Sequence, residues 1–207
     1  MKGDINKKRI AVFASGFGSN LQAILDFEAK GKLCGEVALV FSNNENAYAL
    51  ERAKKHKIKT ACFSPSGFKN RLEYDRQIAY LLETEKIELV VLAGYMLLIG
   101  KPILEKYKNR IINIHPALLP SFKGTHGIKD AFEYGVKVTG VTVHFVDEGL
   151  DSGPIILQEA VIIEQEDTLE SLEEKIHRVE HRIYPLAVKL YCSGRLEISQ
   201  RKVIISA

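Results

Sequence analysis

Asn113 and His115 stand one residue apart in NIHPALLPSFKGTH, at the end of the apolar run RII. In an extended strand, residues i and i+2 point to one face. This spacing therefore predicts that Asn113 and His115 project together while Ile114 turns into the core. Pro116 holds His115 extended and stops strand pairing there. A carboxamide can donate to a developing oxyanion, and an imidazole can carry a proton near neutral pH. Side by side they suit addition of a nucleophile to a carbonyl-like carbon. The same residues would also serve as a turn cap and a satisfied structural histidine. A third group bears on the choice. DEGLDSGPI (Asp147–Ile155) is a turn rich in acids and glycine, and Asp151 is the acid nearest SGP. A carboxylate beside an imidazole favours the imidazolium, so contact with Asp151 predicts a raised His115 pKa. Solvated turn acids are the alternative.

A second constellation is SGFGSN (Ser15–Asn20), between an apolar run and a helical pattern. Gly16 and Gly18 allow positive φ and close approach of a ligand. Ser19 and Asn20 are good N-cap types. Backbone N–H groups at a helix start favour an anion. Position 21 is leucine, so the third glycine of GxGxxG is missing, and the GK[ST] of a P-loop is also absent. A single phosphate fits this loop better than a dinucleotide or nucleoside triphosphate. An ordinary capped βα turn fits it as well.

His177 and His181 share the i, i+4 spacing of a metal pair. Arg178, Glu180 and Arg182 around them read as a charged helix face, and no third ligand is visible, so no metal is expected. GxSxG and HExxH are absent. Cys34, Cys62 and Cys192 are odd in number and far apart, which gives neither a disulfide framework nor a zinc site. The 29 basic and 26 acidic residues leave a net charge of +3, too balanced to point to nucleic acid or a membrane surface. LVVLAGYMLLIG (Leu89–Gly100) falls short of the ~20 apolar residues that span a bilayer. The polar opening MKGDINKKRI lacks an export signal, so a cytoplasmic location is expected.

These groups need a scaffold, and the pattern supplies one. Apolar runs at Arg9–Ala14, Glu36–Phe41, Thr60–Phe63 and Glu88–Gly94 alternate with helical spacing over Ser19–Lys30, Ala47–His56 and Arg71–Glu85. Continuous apolar strands of this kind are buried on both faces, and the alternation predicts right-handed βαβ units in a doubly wound, mostly parallel sheet. After the strand Arg110–His115 comes a short helix near Ile128–Tyr134. Val138–Val146 and Pro154–Ile163 then alternate like antiparallel or edge strands. Asp167 with Glu170 looks like a capping box opening a helix from Thr168 to about Cys192, which Pro185 should kink. RLEIS and KVIIS suggest a terminal hairpin. No repeat or linker breaks the chain, so one domain over 1–207 is expected. In open α/β sheets, ligands sit beyond the carboxyl ends of the strands, where both SGFGSN and NIHP fall.

GSN, LAGYM, NIHPALLPSFKGTH and VHFVDEGLDSGPIILQ together resemble the folate-dependent formyltransferases. GSN with EHRIYP (Glu180–Pro185) resembles the phosphoribosylglycinamide formyltransferase family of purine synthesis within that group. The resemblance runs from about Ile10 to Tyr191. It implies a Rossmann-like α/β formyltransferase fold, 10-formyltetrahydrofolate as formyl donor and co-substrate, and glycinamide ribonucleotide as acceptor. It also implies roles for residues. Asn113, His115 and Asp151 match the catalytic set, with Asp151 raising the histidine pKa. Gly18, Ser19 and Asn20 match the loop that holds the acceptor's phosphate, and Glu180 the acid at its glycinamide end. Arg71, Met96, Leu97, Leu98 and Ile99, with Asn113, match positions lining the folate site. Leu97 departs from the family, which usually has an arginine there. That removes one contact to the folate glutamate tail, leaving Arg71 or Lys101 to attract it. A monomer or homodimer is compatible with all of this. Other readings remain: formyltetrahydrofolate hydrolase, methionyl-tRNA formyltransferase, for whose basic C-terminal domain the chain is short, and a phosphate-ligand binding module without catalysis.

Overall fold

A computed structural model describes residues 7–206. The opening Met1–Asn6, part of the segment read above for export signals, lies outside the described residues. The first half builds β1 (Lys8–Phe13), α1 (Ser19–Ala29), β2 (Gly35–Ser42), α2 (Tyr48–Lys55), β3 (Lys59–Cys62), α3 (Arg71–Thr84) and β4 (Leu89–Leu92). The second half adds α4 (Lys101–Lys106), β5 (Ile111–His115), α5 (Gly127–Tyr134), β6 (Val138–Phe145), β7 (Ile155–Ile162), α6 (Leu169–Cys192), β8 (Leu196–Ser199) and β9 (Lys202–Ile205). The nine strands form one sheet in the order β3-β2-β1-β4-β5-β6-β7-β9-β8.

Strands β1 to β5 pair in parallel, and β6 reverses direction, pairing antiparallel with both β5 and β7. This is the expected α/β fold: mostly parallel, with antiparallel strands in the second half. Alternate residues of each central strand enter two separate cores. Ile10, Val12, Leu89, Val91, Ile112 and Ile114 join α1, α2 and α6 on one face. Ala11, Phe13, Val90, Leu92 and Ile111 meet α3 and α4 on the other. A strand buried on both faces reads as a continuous apolar run for this reason. The chain steps from β1 to β2 and β3, then returns to place β4 on the other side of β1. The topological switch point thus lies at the carboxyl ends of β1 and β4, the place where open α/β sheets take their ligands.

Some local expectations change. β4 ends at Leu92 rather than Gly94: the Ala93 N–H donates to the Phe13 carbonyl at 2.8 Å, and Gly94 takes a left-handed φ of 76°. α4 was not foreseen: it is six residues long, and Pro102 in its first turn hides it among loop signals. α6 is capped by Thr168 with Ser171, each side chain bonding the other's backbone N–H. Asp167 instead accepts from Ser171 Oγ, from the Glu164 N–H and from Lys175, which together pull its carboxyl down to about 2. α6 runs unbroken through Pro185. β8 and β9 form the expected hairpin, tied to β7 by the parallel pairing of Ile155 with Lys202.

Candidate active site

β5 runs parallel to β4 and carries Asn113 and His115 to the same end of the sheet. Ile114 between them is buried in the core beneath α6, so the two polar side chains share the opposite face, as their spacing predicts. β6 lies beside β5 with His144 opposite Asn113 and Thr142 opposite His115. The turn between β6 and β7 then folds Asp151 back over both. Asp151 Oδ2 lies 3.5 Å from His115 Nδ1, and Oδ1 lies 3.7 Å from His144 Nε2. Asp151 holds a left-handed φ of 46°, and its Oδ2 accepts the Gly124 N–H at 2.9 Å. The carboxylate therefore faces the imidazole across 36 positions of chain that the sequence alone could not close.

The hydrogen bonds set the tautomers. His115 Nε2 lies 2.7 Å from the Phe122 carbonyl, which can only accept, so Nε2 carries a proton. His144 Nδ1 likewise donates to the Phe145 carbonyl at 2.8 Å. Its Nε2 then accepts from Asn113 Nδ2 at 3.2 Å. One amide hydrogen of Asn113 orients the group, and the second is left for a ligand.

The expected rise in the His115 pKa does not occur. His115 is 3% exposed, and burial lowers its pKa more than Asp151 and the Phe122 carbonyl raise it. The resting imidazole is neutral at pH 7. Asp151 is held below its ordinary value: burial pushes it up, but the charged form of His144, the Gly124 N–H and the charged form of His115 together outweigh that. His144 escaped the sequence reading. The signal was present in VHFVDEGLDSGP, but only the antiparallel register sets it against Asn113.

SGFGSN folds as a tight loop. Gly18, at φ 74°, is the N-cap of α1, and no side chain caps the helix. A Cβ on Gly18 would stand 2.8 Å from Ala49 Cβ, so α2 packs directly on the loop. Ser19 begins the helix beside a groove of about 340 Å3 lined also by Arg52 and His181. Arg52 Nε donates to the Phe17 carbonyl at 2.9 Å, which puts a guanidinium next to the proposed anion seat. Nothing in the pattern of α2 singled Arg52 out. Asn20 is not a cap. Its buried carboxamide donates to Glu180 Oε2 at 3.0 Å, across 160 positions of sequence. His177 Nδ1 reaches the same oxygen at 3.0 Å, and this partner raises the His177 pKa against the effect of burial. His177 and His181 stack with ring centres 6.3 Å apart. Among the described residues, no group of three or more His, Cys, Asp or Glu is placed to hold a metal ion.

The residues expected to line the folate site gather at the end of β4. Met96 and Leu98 are exposed, whereas Leu97 and Ile99 turn inward against the core beneath α3. Arg71 Nε pairs with buried Asp75 Oδ2 at 2.8 Å, and its Nη2 donates to the Leu98 carbonyl. Ser15 Oγ accepts the Met96 N–H at 2.8 Å, linking this segment to the first loop. His126 is exposed at the start of α5, with its ring 3.0 Å from Thr125 Oγ1.

The sequence profile of the formyl transferase family matches residues 8–188. The chain belongs to this family. A phosphoribosylglycinamide formyltransferase from Bacillus subtilis is 44% identical over 182 residues, covering 88% of this chain and 93% of that protein. The human trifunctional purine biosynthetic protein adenosine-3 is 42% identical over 94% of this chain, which corresponds to 19% of that longer protein. The crystal structure of glycinamide ribonucleotide transformylase 1 from Symbiobacterium toebii superposes with a TM-score of 0.95 at 47% identity, covering 97% of this chain and 95% of that one. The superposition with the Symbiobacterium toebii structure extends over 97% of this chain, so the fold described above is shared with it.

Proposed function

We propose that this formyl transferase moves the formyl group of 10-formyltetrahydrofolate to the amine of glycinamide ribonucleotide, giving N-formylglycinamide ribonucleotide in purine biosynthesis. The observation that carries the reading is the convergence of Asn113, His115 and Asp151 at one strand end, in a chain akin to enzymes named for that reaction. Asn20 and Glu180 form the acceptor side with Gly18 and Ser19, and Arg71 with Met96–Ile99 forms the folate side. Asn113 belongs to both the folate wall and the catalytic set. The shared sheet supports one domain.

The chemistry follows from the donors in place. The acceptor amine attacks the formyl carbon, a C–N bond forms, and the carbonyl electrons move onto oxygen. The free Asn113 N–H donates to that oxyanion. The attacking nitrogen gains positive charge and gives up a proton, which neutral His115 takes on Nδ1. Asp151, facing that nitrogen, stabilises the imidazolium. The proton then passes to the leaving nitrogen of the folate as its bond to the formyl carbon breaks. No metal enters. The reading assigns small-molecule partners only, without nucleic acid or membrane, to a monomer or homodimer in the cytoplasm. Among the described residues no helix is long and apolar enough to cross a membrane.

A spectrophotometric assay with 10-formyltetrahydrofolate tests this directly. Turnover is expected only when glycinamide ribonucleotide is present. Turnover without acceptor would indicate a hydrolase, and none in either case a binding module.

A further inference from the structure

Tyr184 lies on α6 with no accessible surface, and its hydroxyl passes between two strands. It donates to the Leu92 carbonyl of β4 at 2.8 Å and lies 3.1 Å from the Ile112 carbonyl of β5. Leu92 pairs with Asn113 in the last rung between these strands. The hydroxyl therefore holds one carbonyl on each side of that rung, immediately before the catalytic carboxamide. Burying a hydroxyl is unfavourable unless it finds an acceptor. A phenylalanine would fill the ring's space without that requirement. The hydroxyl thus fixes where α6 sits along the strands, a constraint that apolar packing alone leaves loose.

The other end of this constraint is Glu180. It lies four residues earlier on α6, on the same face, and is 5% exposed. Its carboxylate holds Asn20 of the first loop and His177. One helical turn thus connects the acid on the acceptor side to the rung that carries Asn113. We propose that Tyr184 is a positioning residue for formyl transfer: its hydroxyl sets the distance between the acceptor seat on α6 and Asn113 on β5. Burial keeps this hydroxyl protonated, and therefore a donor, at any pH the enzyme meets.

The inference rests on the proposed formyl transfer, and the wild-type assay separates the two. An inactive wild type removes the functional reading. An active wild type leaves Tyr184 to be tested alone. In the full chain, Tyr184→Phe is expected to lower kcat about tenfold, because small misplacements of reacting groups are amplified in rate. The KM for 10-formyltetrahydrofolate should stay within about twofold, since folate contacts are untouched. The deciding measurement is a double-mutant cycle. In an Asn113→Ala background, Tyr184→Phe should change kcat by less than about twofold, because its target is gone. A full effect in that background, or unchanged kcat in the single variant, would overturn the proposal. If Tyr184→Phe does not fold, 3-fluorotyrosine at position 184 keeps the hydroxyl. Its fluorine resonance should then shift on saturation with glycinamide ribonucleotide, and an unmoved resonance would overturn the proposal.

Discussion

At His115 two influences oppose each other: burial favours the neutral ring, and Asp151 favours the charged one. A neutral base beside a carboxylate can accept the amine proton and then be held as an imidazolium, so in the proposed reaction the weaker influence is the one used. Replacing Asp151 with Asn removes a group that raises the His115 pKa. The acidic limb of the kcat/KM–pH profile, below which His115 is protonated in the free site, is expected to move further down in pH. At the same time kcat should fall. A limb that moves up would contradict the assignment of Asp151. Asn113→Ala removes an oxyanion donor and is expected to lower kcat by roughly 10²–10³, and His115→Ala by at least that order, with acceptor binding little changed in titration calorimetry. The pair at β5 was legible because strand periodicity alone puts residues 113 and 115 together. The direction of the His115 shift was not, because it depends on how deeply the ring is buried, and no local pattern reports that. His144 was invisible for a related reason: its partnership with Asn113 exists only through the β5–β6 register.

The turn from Asp147 to Pro154 has to place Asp151 across β5 and β6, and Gly153 is how it fits. A Cβ there would run into the Phe145 carbonyl of β6. Gly153→Ala is therefore expected to push the turn off β6, lowering kcat and the melting temperature together, whereas Gly31→Ala, with open space around it, should affect stability alone through its positive φ. At the start of α6, Thr168→Ala removes the capping hydroxyl and should lower stability by about 1 kcal/mol in urea unfolding. The capping box was legible as a helix start, but offset by one residue, because Asp167 is as good a cap type as Thr168. What decides between them is that Lys175 and Ser171 claim the Asp167 carboxylate. α4 was missed because a six-residue helix gives too few turns for periodicity to emerge.

Over the whole molecule, the parallel order of the first strands was legible from continuous apolar runs, and the antiparallel second half from alternation. The joining of the two substrate sides was not. Arg71, on the proposed folate side, is tied to Asp75 and Leu98, and Lys101 lies one turn from Glu105, to which it is paired at 3.6 Å. With leucine at position 97, replacing both Arg71 and Lys101 with alanine is expected to raise KM for polyglutamylated folate. An unchanged KM would remove both from the tail site. The proposed acceptor side rests on the Asn20–Glu180 bond, which joins the first helix to the last long one. A chain emerging from the ribosome exposes its amino-terminal end first. The first loop, Asn113, His115 and Asp151 are all made before α6 appears. A nascent chain halted after β7 would thus hold the groups proposed to polarise a formyl carbon yet lack Glu180, the carboxylate proposed to complete the acceptor seat. Competence to bind acceptor would arrive late in synthesis, with the docking of a single helix.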